Sequence, residues 1–154
     1  MPVTKVKDFL EKNGVDYELV DAPSVYTAQE TAAETHIPGR EMAKTVIVKM
    51  DGAFAMAVLP ASDRVDFSLL KGLSDSENVE LASEEEFAGL FPDCEIGAMP
   101  PFGNLYDMKV FVESNLADDE RISFYGCAHS QLIRMAYGDY ERLVHPRVGR
   151  FSLD

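Results

Sequence analysis

The chain has 154 residues, enough for one domain with a hydrophobic core, and its 46% hydrophobic and 27% charged content is ordinary for a soluble globular protein. A formal net charge of −13 argues against broad nucleic-acid binding through a basic face. It leaves room for a local basic pocket, drawn from Arg40, Lys44 and Lys49 or from Arg142, Arg147 and Arg150. No window approaches the ~18 apolar residues of a membrane helix. Met1-Pro2-Val3-Thr4-Lys5 lacks the apolar centre of a secretory signal, so a cytoplasmic protein without membrane attachment is expected. Cys94 and Cys127 could pair, but without an export signal they are read as reduced thiols.

In chain order, Thr4 is placed to cap a helix through about Lys12, with Val6, Phe9 and Leu10 on one face and Gly14 ending it. Asp16 to Val20 reads as a short strand. Thr27 and Glu30 have capping-box spacing and open an alanine-rich helix that ends near His36, before the Pro38-Gly39 turn. Thr45 to Met50 is β-branched and meets Asp51-Gly52, a hairpin signal, with Ala53 to Leu59 returning until Pro60. Ser62 or Asp63 is expected to cap a helix carrying Val65, Phe67, Leu69 and Leu70, with Gly72 at its end. Ser83 and Glu86 form a second capping box, leading a helix with Phe87, Leu90 and Phe91 inward. The run Ser83 to Glu86 is otherwise read as solvated surface.

Leu105 to Val112 and Ile122 to Tyr125 read as strands joined by a polar turn over Asn115 to Glu120, and Ser130 to Ala136 alternates as a half-buried strand does. Asp139 is placed to cap a last helix through about Val144, stopped by Pro146. Hairpins interspersed with helices give a single α+β domain over residues 1–154, a mixed sheet flanked by several short helices.

Three places could carry chemistry. Gly97-Ala98-Met99-Pro100-Pro101-Phe102-Gly103 has two glycines, two prolines and no charge. Its prolines lock φ and lack donors, while its glycines let another molecule approach the backbone. It reads as a rigid connector packing Met99 and Phe102 into the core, or as a binding loop. Lys44, entering a strand, either snorkels to water or offers a phosphate or carboxyl oxygen a compact charge with three donors. His129, among the small residues Gly126, Cys127, Ala128 and Ser130, is either a hydrogen-bonded structural histidine or a ligand contact. A Cys127–His129 nucleophile pair has the right spacing but nothing to complete it. Sequence-local metal ligation, a glycine-rich phosphate loop and a nucleophile elbow all lack their motifs.

Ala43-Lys44-Thr45-Val46-Ile47-Val48, then Gly97 to Gly103, then Gly126-Cys127-Ala128-His129 together resemble the YbaK/prolyl-tRNA-synthetase-associated domain, over about Val25 to Val144. The Gly-x-x-x-Pro motif at Gly97 to Pro101, combined with upstream Lys44, is its most specific part. The resemblance implies a curved mixed sheet and a trans-editing hydrolase. Such an enzyme cleaves the ester of aminoacyl-tRNA mischarged with a small amino acid, using no metal or other cofactor. It implies Lys44, Gly97 and His129 as catalytic residues. Ala98, Met99, Pro100, Pro101, Phe102 and Gly126 would bind substrate, with the amides of Gly97, Ala98 and Met99 as donors and Met99 and Phe102 walling the pocket. The implied partner is the aminoacyl-tRNA acceptor end, with no DNA and no membrane; the net acidity fits either capture of that end alone or delivery of the tRNA by an aminoacyl-tRNA synthetase. A non-catalytic module binding an aminoacyl end or a protein partner through the same cleft is the alternative.

Overall fold

A computed structural model of the chain describes residues 4–21, 41–95 and 97–153. Helix α1 (Thr4–Lys12) buries Val6 and Leu10 completely and packs Phe9 against the same core, the face expected from i, i+3, i+4 spacing. Thr4 lies in its first turn rather than ahead of it. The helix expected from Thr27 to His36, the Pro38-Gly39 turn and Arg40 lie outside the described residues. After β1 (Tyr17–Asp21), strands β2 (Ala43–Met50) and β3 (Ala53–Pro60) pair antiparallel along their whole length, from Ala43↔Pro60 to Met50↔Ala53. Asp51 and Gly52 close the hairpin at φ 51° and 86°, both left-handed, as a tight two-residue turn between twisted strands requires.

Past the hairpin the element boundaries differ from expectation. Arg64–Val65 forms the short strand β4, because its backbone pairs with the C-terminal β10 (Ser152–Leu153). Helix α2 (Phe67–Ser74) therefore starts later, and Asp66, not Ser62 or Asp63, caps it by accepting from the Ser68 and Leu69 amides. It ends on Asp75 at φ 59°, with Gly72 inside the helix. Beyond β5 (Val79–Leu81), the Ser83–Glu86 capping box is present, but its helix α3 (Glu84–Phe87) lasts one turn before a 3₁₀ turn at Ala88–Leu90. Phe87 and Phe91 point inward, whereas Leu90 is exposed. A further 3₁₀ turn at Gly103–Leu105 shortens the next strand to β6 (Lys109–Glu113). The polar stretch after it contains helix α4 (Ser114–Ala117), with Leu116 fully buried. Strands β7 (Arg121–Tyr125) and β8 (Gln131–Ala136) follow, then α5 (Tyr137–Val144) and β9 (Arg147–Gly149). Asp139 sits inside the first turn of α5, where Arg142 reaches it, and Ala136 occupies the cap position.

The strands form a five-stranded mixed sheet, β5-β2-β3-β6-β9, and a three-stranded antiparallel sheet, β1-β8-β7. A parallel bridge between Met42 and Ser123 ties the two together just before β2. One face of the larger sheet, through Ile47, Met56, Val58, Val110 and Val112, packs on α1, α5 and the smaller sheet's Ile122, Phe124, Ile133 and Met135. The other face, through Val48, Ala57, Leu59 and Phe111, is covered by Leu70 of α2 and by Phe151. Glu113, fully buried, locks the C-terminal segment down by accepting from the Phe151 and Ser152 amides at 2.6 and 2.8 Å. Burial alone would push this carboxyl up. The bonds from Phe151, Asn115, Ser152 and Ser114 outweigh that and hold it below the ordinary value. Among the described residues no helix is long and apolar enough to cross a membrane.

Candidate active site

The segment Gly97 to Gly103 is a loop, as its prolines and glycines require, and a second loop over residues 126–130 lies alongside it. Two backbone bonds of 2.8 Å join them, from the Cys127 amide to the Ala98 carbonyl and from the Glu95 amide to the Cys127 carbonyl. Cys94 and Cys127 are disulfide-bonded, their sulfurs 2.02 Å apart. This corrects the reading of both as reduced thiols, and it removes Cys127 as a nucleophile for His129. The sequence rule used compartment and count, and was blind to two loops packing side by side. Asp93 comes within 4.8 Å of both sulfurs, so folding gathers three potential metal ligands that are scattered in sequence. The sulfur–sulfur bond occupies two of them.

Within the first loop, Gly97 is exposed whereas residues 98–103 are buried. Phe102, proposed as a pocket wall, has no exposed surface; its ring packs on Phe9, Phe124 and Tyr140. It is the anchor that holds the loop on the core. The Pro101 carbonyl adds a second anchor, accepting from the buried Tyr140 hydroxyl at 2.6 Å. Met99 is 6% exposed and turns its sulfur back to 3.3 Å from the Gly97 amide. The Ala98 amide donates to the Glu95 carbonyl at 3.0 Å and so is committed to the loop's own turn. The Gly97 amide, facing a thioether that accepts only weakly, is the donor a ligand could recruit.

Gly97 has φ 89°, a region that side-chain-bearing residues rarely enter. A Cβ there would lie 3.3 Å from His129 Nε2, so the exposed glycine backbone and the imidazole edge face each other. His129 is partly exposed. Its own amide and its Nδ1 both reach Glu95 Oε1, at 2.8 and 3.0 Å, and the Tyr125 ring meets it edge-on at 5.0 Å. These bonds keep the Glu95 carboxyl below its ordinary value, the backbone bond contributing most. Gly126 is buried beside them.

Lys44 stands on β2 opposite Leu59, half-buried. Burial lowers its pKa, partly offset by the nearby Asp63 carboxylate. Asp63 is itself buried and accepts from the Ser152 hydroxyl at 3.0 Å, which connects the C-terminal strand to the lysine. Met42, two residues earlier and therefore on the same side of the chain as Lys44, packs in one small cluster with Ala61, Ala98, Tyr125 and Leu132. That cluster links the β2 entry to both loops. Lys49, in contrast, is taken up by Glu80 and Glu86, and Arg142 by Asp139. Neither is available for the basic pocket considered from sequence.

Sequence reasoning missed Glu95, Asp63 and Tyr125. Glu95 alone carried a local signal, an acid two residues before an apolar loop, but no spacing rule joins it to a histidine 34 positions later.

The chain is similar to known proteins over most of its length. The chain is 31% identical over 102 residues to a proline–tRNA ligase of Staphylococcus saprophyticus, covering 64% of this chain and 17% of that protein. To the proline–tRNA ligase of Staphylococcus aureus strain Newman it is 29% identical over 141 residues, covering 89% of this chain and 22% of that one. The chain thus spans about a fifth of the length of these curated relatives. Among solved structures, a hypothetical protein superposes with TM-score 0.86 at 21% identity, covering 97% of this chain and 99% of that one. A candidate trans-editing enzyme for prolyl-tRNA synthetase also gives TM-score 0.86, at 19% identity, covering 99% of this chain and 98% of that one. These two matches establish the fold. Residues 22–143, which hold the lysine strand, the Gly97 loop and the His129 loop, match the aminoacyl-tRNA editing domain, and the chain belongs to that family.

Proposed function

We propose that residues 1–154 act as one domain, a metal-independent hydrolase that cleaves the ester of mischarged aminoacyl-tRNA carrying a small amino acid. The observation that carries this reading is the exposed Gly97 backbone at φ 89°, facing His129 Nε2 on a loop anchored from beneath. A rigid shelf of this kind suits an aminoacyl ester, which is already activated and needs orientation more than a strong nucleophile. A second hydrolytic sieve is useful because one pocket separates substrates by only about 1–3 kcal/mol per methylene.

In this mechanism the ester carbonyl lies over Gly97, and the Gly97 amide leaves the Met99 sulfur to donate to the developing oxyanion. A water held by His129 Nε2 adds to the carbonyl carbon. The bond to the ribose oxygen then breaks, and that oxygen takes the proton that the attacking water gave to Nε2, releasing the free amino acid and tRNA. Lys44 holds the terminal phosphate or ribose oxygens as a point charge, with the Asp63 carboxylate partly offsetting the burial that lowers its pKa. The acidic surface fits capture of the acceptor end alone, with an aminoacyl-tRNA synthetase as the delivering partner and the cytoplasm as the place of action.

The test is single-turnover deacylation of a panel of tRNAs mischarged with alanine, serine and cysteine, by the wild-type protein and by Lys44→Ala. At least one ester should be lost far faster than its uncatalysed rate, and Lys44→Ala should slow that loss about 100-fold or more. Binding of the panel without ester loss would make the protein a binding module. Wild-type rates in a folded Lys44→Ala would remove the lysine from the mechanism.

A further inference from the structure

We propose that Glu95 is the positioning residue of this site: it fixes His129 as the Nδ1–H tautomer and so turns an unprotonated Nε2 toward Gly97. The tautomer assignment stands on geometry alone, while its catalytic consequence rests on the deacylase reading above.

One oxygen, Glu95 Oε1, accepts both from the His129 amide at 2.8 Å and from its ring Nδ1 at 3.0 Å. An ionised carboxylate can only accept, so in the neutral ring the proton must sit on Nδ1 and the lone pair on Nε2. Because both bonds come from one residue to one atom, they restrain the rotation between the histidine backbone and its ring. The Tyr125 ring, edge-on at 5.0 Å, restrains the remaining tilt.

Glu95 is half exposed and would ordinarily be a poor anchor. Here its own amide donates to the Cys127 carbonyl at 2.8 Å, and its neighbour Cys94 is bonded to Cys127. The carboxylate therefore springs from backbone already fixed to the histidine's own loop. The bonds from His129 also keep it ionised to lower pH than an ordinary glutamate. The ring edge that results presents an acceptor 3.3 Å from the Cβ position of Gly97, where a water attacking an ester held on that glycine would lie. The opposite tautomer would present a donor there and could not take a proton from that water.

The experiment reads the tautomer directly, from the imidazole nitrogen resonances of ¹⁵N-labelled protein at alkaline pH, alongside kcat and KM for deacylation. Wild type should show a protonated Nδ1 and an unprotonated Nε2. Glu95→Ala should lose that signature in favour of the Nε2–H form, with kcat reduced about tenfold or more and KM little changed. Glu95→Gln, which keeps an accepting oxygen in place, should restore the signature and most of kcat. A wild-type ring protonated on Nε2 would overturn the proposal without any variant, whatever the fate of Glu95→Ala on folding. So would a folded Glu95→Ala that keeps the Nδ1–H signature or the wild-type kcat. The resonances do not depend on turnover, so a protein with no deacylase activity would still report the tautomer and only the catalytic consequence would fall.

Discussion

Replacing Gly97 with alanine perturbs backbone and imidazole together, and the structure separates the two effects. At φ 89° a residue with a Cβ is strained by about 1–2 kcal/mol, whatever surrounds it. The new Cβ would also lie 3.3 Å from His129 Nε2 and 3.7 Å from Cε1, tighter than ordinary contact on the first atom. The ring cannot simply swing aside, because Glu95 holds Nδ1 on its far edge at 3.0 Å. Either the loop or the ring gives by a few tenths of an ångström. For a chain of this size the backbone strain lowers Tm by about 2–8 °C. Displacement of reacting groups by 1 Å can cost about 100-fold, so single-turnover deacylation should fall at least about tenfold. The control is Gly138→Ala, inside α5 with open space around its Cβ position, where helix propensity favours alanine by up to about 1 kcal/mol. Thermal unfolding and deacylation of the two variants make the comparison. Gly97→Ala behaving like Gly138→Ala in both assays would refute the idea that this backbone conformation and its face on His129 matter.

Two further outcomes concern carboxylates outside the two loops. Glu113→Gln keeps one accepting oxygen where the carboxylate used two, Oε1 for Phe151 and Ser152 and Oε2 for Asn115 and Ser114. At least one amide then faces an NH₂ group, and urea unfolding should show a loss of about 1.5–3 kcal/mol; a loss below about 0.5 kcal/mol would mean that the C-terminal strand does not depend on this carboxylate. On the surface, the Lys49 ammonium and the Ser83 amide pull Glu86 down to about 2 from an ordinary 4.5. A carboxyl depressed by folding contributes stability above about 4.5 that is lost as pH falls through about 2. NMR titration of Glu86 should move up toward the ordinary value in Lys49→Met, and an unmoved midpoint would assign the shift to the capping box instead.

By itself the sequence determined what depends on neighbours along the chain. The α1 face, the Asp51-Gly52 hairpin, the Ser83 capping box and the stiffness of the loop from Gly97 follow from local periodicity, backbone freedom and proline geometry. Boundaries failed where a distant partner intervened. Arg64–Val65 is a strand because β10 arrives beside it, and Asp66 became the cap once the preceding residues were extended. The resemblance pointed to Lys44, Gly97 and His129 together, and the tertiary structure decided how the two loops meet. It buried Phe102 as an anchor, spent the Ala98 amide on Glu95, bonded Cys94 to Cys127, and set Glu95 against His129. Each of these joins atoms many residues apart or depends on which way a side chain turns, and the order of residues along a chain carries neither quantity. Packing against the core supplies both.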